Sequence, residues 1–261
     1  MKLAITGKGG TGKTTIAGLL AHYFKDDGYK VLAVDADPDS NLASALGIPP
    51  ERAHSIIPIS TNRQLVEERT GAKANQFGQM FKLNPTVKDL PDKLCIDFQG
   101  IKLLVMGGIQ KGGGGCACPE NVLLRRLLSE LILHRNEVII VDMEAGIEHL
   151  GRATSKAIDK MIIVVEPGFR SISTAKTIMK LAQEIGIQSF GIIGNKIQDE
   201  RQKVWIEEQF SPQLILGILS YHDIIREADL NRDPLFPLAD ENLRQEFNKV
   251  FVALKSTPPA R

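Results

Sequence analysis

The sequence is poor in cysteine and lacks both a long apolar run and a surplus of charge. Its three cysteines among 261 residues are too few for a disulfide framework, which excludes the small secreted scaffolds that depend on one. No apolar stretch approaches the roughly 20 residues of a bilayer-spanning helix. Glycines follow Met1 too soon for a signal peptide. We therefore expect a cytoplasmic protein.

The charge balance narrows the range of partners. The 32 basic residues nearly cancel the 31 acidic ones, which leaves a formal net charge of +1. A chain without a net positive field has no bulk attraction for nucleic acid or for an anionic membrane, and we expect neither as a partner. Hydrophobic residues make up 43%, so a core of ordinary size can form.

Short apolar runs alternate with helical patterns through most of the chain. Runs rich in valine, isoleucine and leucine indicate buried strands, and the segments between them repeat apolar residues at helical spacing. This alternation predicts one α/β domain over residues 1–261, a doubly wound and mostly parallel sheet with helices on both faces. The expected strands are Lys2–Thr6, Val31–Asp35, Lys102–Met106, Val138–Asp142, Met161–Glu166, Phe190–Gly194 and Leu214–Leu219.

Residues 49–100 interrupt this alternation of strand and helix patterns. They are polar and rich in proline, with one helical pattern at Asn62–Thr70, and predict an elaboration on the sheet rather than a second domain. At its end, Leu94–Phe98 and Ile101–Met106 predict a hairpin that adds an antiparallel edge. Near the C-terminus, Glu241–Lys255 has one apolar face. Because no basic face accompanies it, we expect a helix docked on the sheet rather than on a membrane.

The segment Gly7–Thr14 fits the pattern G-x-x-x-x-G-K-T between a strand and a helix. Glycines let backbone N–H groups wrap the phosphates, the lysine reaches their oxygens, and the hydroxyl ligates Mg²⁺. We therefore expect a nucleoside triphosphate hydrolase with Lys13 on the phosphates and Thr14 on Mg²⁺. The other predicted nucleotide contacts of this loop are Gly9, Gly10, Thr11, Gly12 and Thr15.

A dinucleotide-binding oxidoreductase is the alternative on this segment. The same loop satisfies G-x-G-x-x-G, and Asp35 ends the next strand where a ribose-binding acid would lie. Two features argue against it. Lys13 and Thr14 directly follow the last glycine, where a dinucleotide fold needs neither a cation nor a metal ligand. In addition, Asp142 ends a second buried strand and supplies a carboxylate to hold Mg²⁺ through water.

A second lysine, Lys8, follows the first glycine of the loop. The segment Lys8–Thr14 resembles the deviant-loop ATPases of the MinD/ParA/ArsA/nitrogenase-iron-protein group, whose mark is K-G-G-x-G-K-T. The resemblance implies an ATP-promoted homodimer in which Lys8 reaches the partner's nucleotide and acts on the transferring phosphoryl group. The alternative is an ordinary solvated loop lysine.

Two switch segments match the same family. Asp35–Asn41 resembles the first switch, D-x-D-P-x-x-N, which implies that Asp37 orients the attacking water while Asp35 supports the loop and the hydration of Mg²⁺. Asp142–Gly146 resembles the second switch. There the backbone N–H of Gly146 can bind the γ-phosphate and sense its loss.

The base-reading position is matched by Asn195 and Lys196 at the end of an apolar strand. The resemblance implies that Asn195 both donates to and accepts from adenine, and no N-K-x-D run points to guanine. An asparagine at a strand end is otherwise commonly a turn residue. One departure from the family is Ser220, which stands where we expect proline.

A cysteine pair, Cys116 and Cys118, follows the glycine run of a loop at about 112–118. Pro119 suits the first turn of the next helix, and a helix N-terminus favours thiolates. One pair cannot complete a four-coordinate site for a soft or borderline metal. A symmetric dimer brings two pairs and thus four sulfurs. Two buried cysteines, or a thiol–disulfide redox pair, remain as alternatives.

The cysteine pair and the segment Asp142–Gly151 together resemble the CooC group. These are accessory ATPases that mature nickel-containing carbon monoxide dehydrogenase, including the related factor serving acetyl-CoA synthase. The resemblance implies a homodimer that carries Ni²⁺ (or Zn²⁺) between its cysteines, with carbon monoxide dehydrogenase as client. Two alternatives remain: a MinD/ParA-like positioning ATPase and a redox protein with an iron–sulfur cluster across the dimer.

Overall fold

The computed structural model describes residues 1–72, 80–107, 119–135, 137–145, 150, 152–155 and 157–256. The strands among them are β1 (Lys2–Gly7), β2 (Val31–Ala36), β3 (Ile96–Phe98), β4 (Ile101–Val105), β5 (Val138–Met143), β6 (Lys160–Val165), β7 (Phe190–Ile197) and β8 (Ile215–Ser220). The helices are α1 (Lys13–Asp26), α2 (Leu42–Ala45), α3 (Pro50–His54), α4 (Arg63–Thr70), α5 (Leu90–Leu94), α6 (Pro119–His134), α7 (Arg152–Ser155), α8 (Phe169–Glu184), α9 (Glu200–Glu207), α10 (Asp223–Asn231), α11 (Leu235–Leu238) and α12 (Glu241–Ser256).

All these strands form one sheet in the order β3-β4-β2-β5-β1-β6-β7-β8. β3 runs antiparallel to β4, and the other neighbouring pairs are parallel. The predicted doubly wound α/β fold is confirmed. Because β1 lies between β5 and β6, the loop that follows it stands in the middle of the carboxyl edge, where open sheets of this kind bind ligands.

Each face of the sheet is covered by its own apolar cluster. Helices α4, α6, α8 and α9 pack on one face, and α1, α2 and α12 pack on the other. The terminal helix docks on the sheet as expected, since its apolar face is buried there; the buried residues are Leu243, Phe247, Val250, Phe251 and Leu254.

Residues 49–100 contribute to the same core as the sheet, because Val66 and Leu90 belong to the cluster around α6. The predicted hairpin is present, but its first strand begins at Ile96 rather than at Leu94. The correction has a local cause. Pro91 lies in the first turn of α5, where its fixed φ favours a helix, and Cys95 caps that helix instead of pairing in the strand. Cys95 is half-buried, and burial raises the pKa of its thiol to about 11.

Candidate active site

The loop after β1 has a conformation that only glycine adopts freely. Gly10 and Gly12 have φ angles of 83° and 93°, in the left-handed region where a side chain is strained. Between them, the N–H and hydroxyl groups of Thr11 both donate to the carbonyl of Lys8, at 3.3 and 2.9 Å. Gly12 is the N-cap of α1 and brings no side chain to the first N–H groups of that helix. These N–H groups are therefore available to an anion.

Two close approaches explain why the loop tolerates no larger residue. A Cβ on Gly7 would lie 2.3 Å from the carbonyl oxygen of Val164 on β6. A Cβ on Gly12 would lie 2.4 Å from the amide nitrogen of Asn195. Each contact is far inside van der Waals distance, so the loop sits directly against the ends of β6 and β7.

Asn195 and Lys196, the predicted base-reading residues, hold the phosphate loop from the end of β7. The amide nitrogen of Asn195 donates to the carbonyl of Thr11 at 2.8 Å, and Lys196 Nζ donates to the carbonyl of Gly10 at 2.5 Å. Lys196 itself has a φ of 61°, an uncommon angle for a residue with a side chain. The contact of Asn195 with adenine stays a prediction, but the structure places it beside the loop that would hold the phosphates.

The carboxylates of Asp35 and Asp142 lie on the other side of the loop, at the ends of β2 and β5. The two residues are in register on neighbouring strands and both are fully buried. Burial raises the pKa of Asp142 to about 7, and the Thr14 hydroxyl and the Lys13 ammonium oppose part of this shift. Burial also raises the pKa of Asp35 to about 6. Both carboxyl groups therefore retain protons more strongly than an exposed aspartic acid does.

The hydrogen bonds of the two carboxyl groups differ. Asp35 accepts backbone N–H groups of Asp37 and Leu42, at 3.2 and 3.0 Å, so it shapes the loop between β2 and α2. Both oxygens of Asp142 are buried, and no group among the described residues meets full hydrogen-bond geometry with them; the Thr14 hydroxyl is near enough to favour the ionised form but not aligned as a donor. A buried carboxylate in this condition is costly unless a ligand satisfies it.

These residues fit Mg²⁺. Within the described residues, no three side chains of the histidine, cysteine, aspartate or glutamate type form a metal site by themselves. Mg²⁺ does not need such a cluster, because in nucleotide sites it is bound by one or two protein oxygens together with water and nucleotide phosphates. Thr14 and Asp142 would hold the ion, with Asp35 behind them, and the ion would neutralise charge on the phosphates.

Asp37, the predicted water-orienting residue, is half-buried in the loop after β2. Its carboxylate accepts the N–H of Asp39 at 3.0 Å, and its charge contributes to the raised pKa values of Asp35 and Asp142. The structure therefore brings Asp37 to the same cluster as the proposed Mg²⁺ ligands. Its role towards water stays a prediction.

Lys8 has a partner that the sequence analysis missed. Its ammonium lies 3.9 Å from one oxygen of Glu166, and Lys196 lies 3.8 Å from the other. Glu166 directly follows the buried strand β6. The signal that identified Asp142, an acid at the end of an apolar strand, was therefore present for Glu166 as well. Three other predicted site residues, Cys116, Cys118 and Gly146, lie outside the described residues.

A sequence model of the CobQ/CobB/MinD/ParA nucleotide binding domain matches residues 2–235. The chain belongs to this family. Together with the phosphate loop, the membership makes the protein an ATPase, as predicted. Among the family's members, the carbon monoxide dehydrogenase accessory protein CooC of Rhodospirillum rubrum is 47% identical over 229 residues, which cover 88% of this chain and 87% of that one. The predicted resemblance to the CooC group is thereby confirmed.

One further relative and one solved structure extend the comparison. An uncharacterised ATP-binding protein of Methanocaldococcus jannaschii is 45% identical over 98% of this chain and 100% of its own length. A chain of the MinC:MinD cell division protein complex of Aquifex aeolicus superposes with a TM-score of 0.68 at 21% identity, over 100% of this chain and 99% of that chain. At that identity it supports the fold alone. Among the described residues, no helix has the length and apolar character needed to cross a bilayer.

Proposed function

We propose that the protein is a cytoplasmic, dimerising ATPase that assists nickel insertion into carbon monoxide dehydrogenase. The observation that carries the proposal is the 47% identity with a carbon monoxide dehydrogenase accessory protein over nearly the whole chain. The pair Cys116 and Cys118 supports it, because thiolates are ligands for soft and borderline metals. The metal in this proposal is cargo, not a resident cofactor.

The nucleotide cycle would use the residues at the carboxyl edge of the sheet. Lys13 and the N–H groups of the loop hold the triphosphate, and Asp37 positions the attacking water. Lys8 leaves Glu166 and reaches the nucleotide of a second copy, so that two triphosphates draw two chains together. Gly146 contacts the γ-phosphate and transmits its loss.

The cysteine pair makes a half-site that a two-fold dimer completes. Two thiolates from each copy give the four ligands of a tetrahedral site. Because the same dimer is controlled by nucleotide, hydrolysis can change the metal site and release the cargo.

The first experiment measures metal content and oligomeric state of the purified protein, without nucleotide, with ADP and with a non-hydrolysable ATP analogue. We expect about one nickel or zinc per dimer. The double variant Cys116→Ser/Cys118→Ser should lose the metal, whereas the control Cys95→Ser, at the C-terminal end of α5, should keep it. Nickel affinity equal to that of the parent in the double variant would place the metal elsewhere.

The second experiment tests Lys8 separately from the metal. In Lys8→Ala, both ATP hydrolysis and ATP-induced dimerisation should fall by at least about 100-fold, in the range for loss of a charge on a transferring phosphoryl group. Binding of ADP to the single chain should persist. The control Lys180→Ala removes an exposed lysine of α8 and should behave as the parent. Unchanged hydrolysis in Lys8→Ala would refute the role in trans.

An iron–sulfur protein is a second candidate with a specific observation behind it. An iron–sulfur ATP-binding protein of light-independent protochlorophyllide reductase from Roseiflexus sp. is 28% identical over 252 residues. Such a cluster would also use four cysteines of a dimer. Anaerobically purified protein with visible absorbance and iron would favour this candidate, and colourless protein containing nickel or zinc would exclude it.

A further inference from the structure

The position of the nucleotide base follows from the strand order. The buried carboxyl groups that fit Mg²⁺ lie at the ends of β5 and β2, on one side of β1. The γ-phosphate therefore lies on that side, and the rest of the nucleotide extends over β6, β7 and β8. Neighbouring strands are about 4.8 Å apart, so β7 and β8 lie about 10 and about 14 Å from β1. The base thus falls over the ends of these two strands, beside Asn195.

Residues 220–222, the last residue of β8 and the two that follow it, lie at the outer side of this region. The N–H of Tyr221 donates to the carbonyl of Ile197 at 2.8 Å, which joins the segment to the end of β7. The segment is also held by the side chain of Glu246 on α12. The N–H and hydroxyl groups of Ser220 donate to its two oxygens at 2.8 and 2.6 Å, and His222 Nε2 lies 3.0 Å from it.

Glu246 is itself firmly positioned. Its neighbour Phe247 is fully buried, and Val250 packs so closely on β8 that a Cβ on Gly217 would lie 2.5 Å from it. The Glu246 side chain is only 26% exposed. Burial acts to raise the pKa of its carboxyl group, but the hydrogen bonds from Ser220 and His222 outweigh burial and hold the pKa below its usual range. Glu246 is therefore a charged acceptor with three partners in one short segment.

We infer that Glu246 is a positioning residue for the nucleotide base: it fixes residues 220–222 as the outer wall of the base pocket and thereby sets the affinity for ATP. The inference rests on the ATPase activity and is independent of the metal. It also explains the serine at position 220. A proline there would have no N–H to donate, whereas Ser220 gives Glu246 two hydrogen bonds.

The test separates binding of the base from binding of the phosphates. In Glu246→Ala, we expect KM for ATP to rise about tenfold, the effect of losing one or two charge-assisted hydrogen bonds, with kcat within twofold of the parent. Inorganic tripolyphosphate has no base, so its inhibition constant should not change. The ratio of the KM values for GTP and ATP should fall towards one, because a loose wall discriminates poorly between purines.

Two further variants complete the design. Ser220→Ala keeps the backbone donor and removes only the hydroxyl, so its KM should rise about two- to threefold even if Glu246→Ala folds poorly. Glu241→Ala, an exposed acid on the same helix, should leave all constants unchanged. The inference is overturned if tripolyphosphate and ATP weaken in parallel, since the effect would then act through the phosphate loop. It is equally overturned if neither variant changes KM for ATP.

Discussion

At the residue scale, the burial of Asp35 and Asp142 makes the protein without nucleotide sensitive to pH. Burial raises the pKa of Asp142 from its ordinary 3.8 to about 7. The folded chain therefore holds this proton more tightly than the unfolded chain does. The free energy of unfolding should fall as pH rises from about 4 to about 7, and should then stay at its lower value. Bound Mg²⁺ would remove this cost by compensating the charge.

Asp142→Asn tests this reasoning on one carboxyl group. At pH 8 without Mg²⁺ or nucleotide, the variant should be more stable than the parent by about 2–4 kcal/mol, since it buries no charge. At pH 4.5 the difference should shrink to about 1 kcal/mol, because the folded chain keeps Asp142 protonated there. Urea unfolding at both pH values measures the difference, with the exposed Asp229→Asn as a control. Lower stability of Asp142→Asn at pH 8 would mean that the carboxylate has a stabilising partner. ATP hydrolysis should be lost in either case.

Glu166 gives a second residue-scale prediction, because it pairs with Lys8 inside one chain. An ion pair of this exposure contributes about 0.2–1 kcal/mol, so Glu166→Gln should barely change the free energy of unfolding. If Lys8 must leave Glu166 to reach a second copy, the variant should dimerise at an ATP concentration about two- to fivefold lower. Analytical ultracentrifugation across an ATP titration measures this shift.

The salt dependence of dimerisation is the control for the Glu166→Gln experiment. At 0.5 M NaCl the difference between Glu166→Gln and the parent should nearly vanish, because salt screens exposed charges. Glu184→Gln removes an exposed acid at the end of α8 and should not shift dimerisation. If Glu166→Gln needed more ATP to dimerise, Glu166 would instead orient Lys8 towards the nucleotide of the second copy.

At the scale of elements, α1 and α2 connect the phosphate loop with the loop that Asp35 organises. The two helices approach so closely that a Cβ on Gly18 would lie 2.7 Å from the carbonyl oxygen of Ala45. α2 begins at Leu42, whose N–H is bound by Asp35. A displacement of α2 is therefore passed directly to residues 37–41.

Gly18→Ala should consequently destabilise the protein and slow hydrolysis. Helix propensity alone would favour alanine by about 1 kcal/mol, but the added methyl group meets backbone and should cost about 1–3 kcal/mol. We expect a lower melting temperature together with a reduced kcat, measured by calorimetry and by phosphate release. A variant more stable than the parent would show that α1 and α2 can separate without cost.

The sequence predicted the elements that carry strong periodicity and missed those that do not. The parallel strands and the helices α4 and α12 were predicted to within a few residues, because buried runs and apolar stripes repeat over several positions. Helices such as α2 and α5 have one turn each, which is too short to show a period. Their position depends on Asp35 and Pro91 instead.

The residues of the candidate site also fall into those that the sequence predicted and those that it did not. The phosphate loop and the strand-end acids were visible because their chemistry requires fixed residue types at fixed spacing. Glu246 gave no such signal, since it lies 26 residues from Ser220 on a helix that otherwise looks like an ordinary amphipathic surface helix. Only the docking of α12 on β8 brings the two together.

At the scale of the whole molecule, the elaboration at residues 49–100 shares its core with the sheet, and we propose one cooperative unit. Leu90 of the elaboration and Leu254 of α12 are both fully buried, on opposite faces of the sheet. Leu90→Ala and Leu254→Ala should each cost about 2–5 kcal/mol and lower the temperature of a single heat-absorption peak by several degrees.

Differential scanning calorimetry checks this prediction. Val252→Ala, at an exposed position of α12, should change stability by less than about 0.5 kcal/mol. Two separate peaks, of which Leu90→Ala moves only one, would show that the elaboration unfolds as a domain of its own.

The strand order has a consequence for the chain as it is being synthesised. β1 leaves the ribosome first, yet its neighbours in the sheet are β5 and β6, where Lys2 lies opposite Ile139 and Gly7 opposite Val164. Such distant parallel pairs form slowly. The first strand therefore stays unpaired and apolar until β5, at Val138–Met143, has been made, and it gains its second neighbour only with β6. Nascent chains thus expose this segment to chaperones while the intervening residues are made, and ATP can assist folding only after the strands on both sides of β1 have emerged.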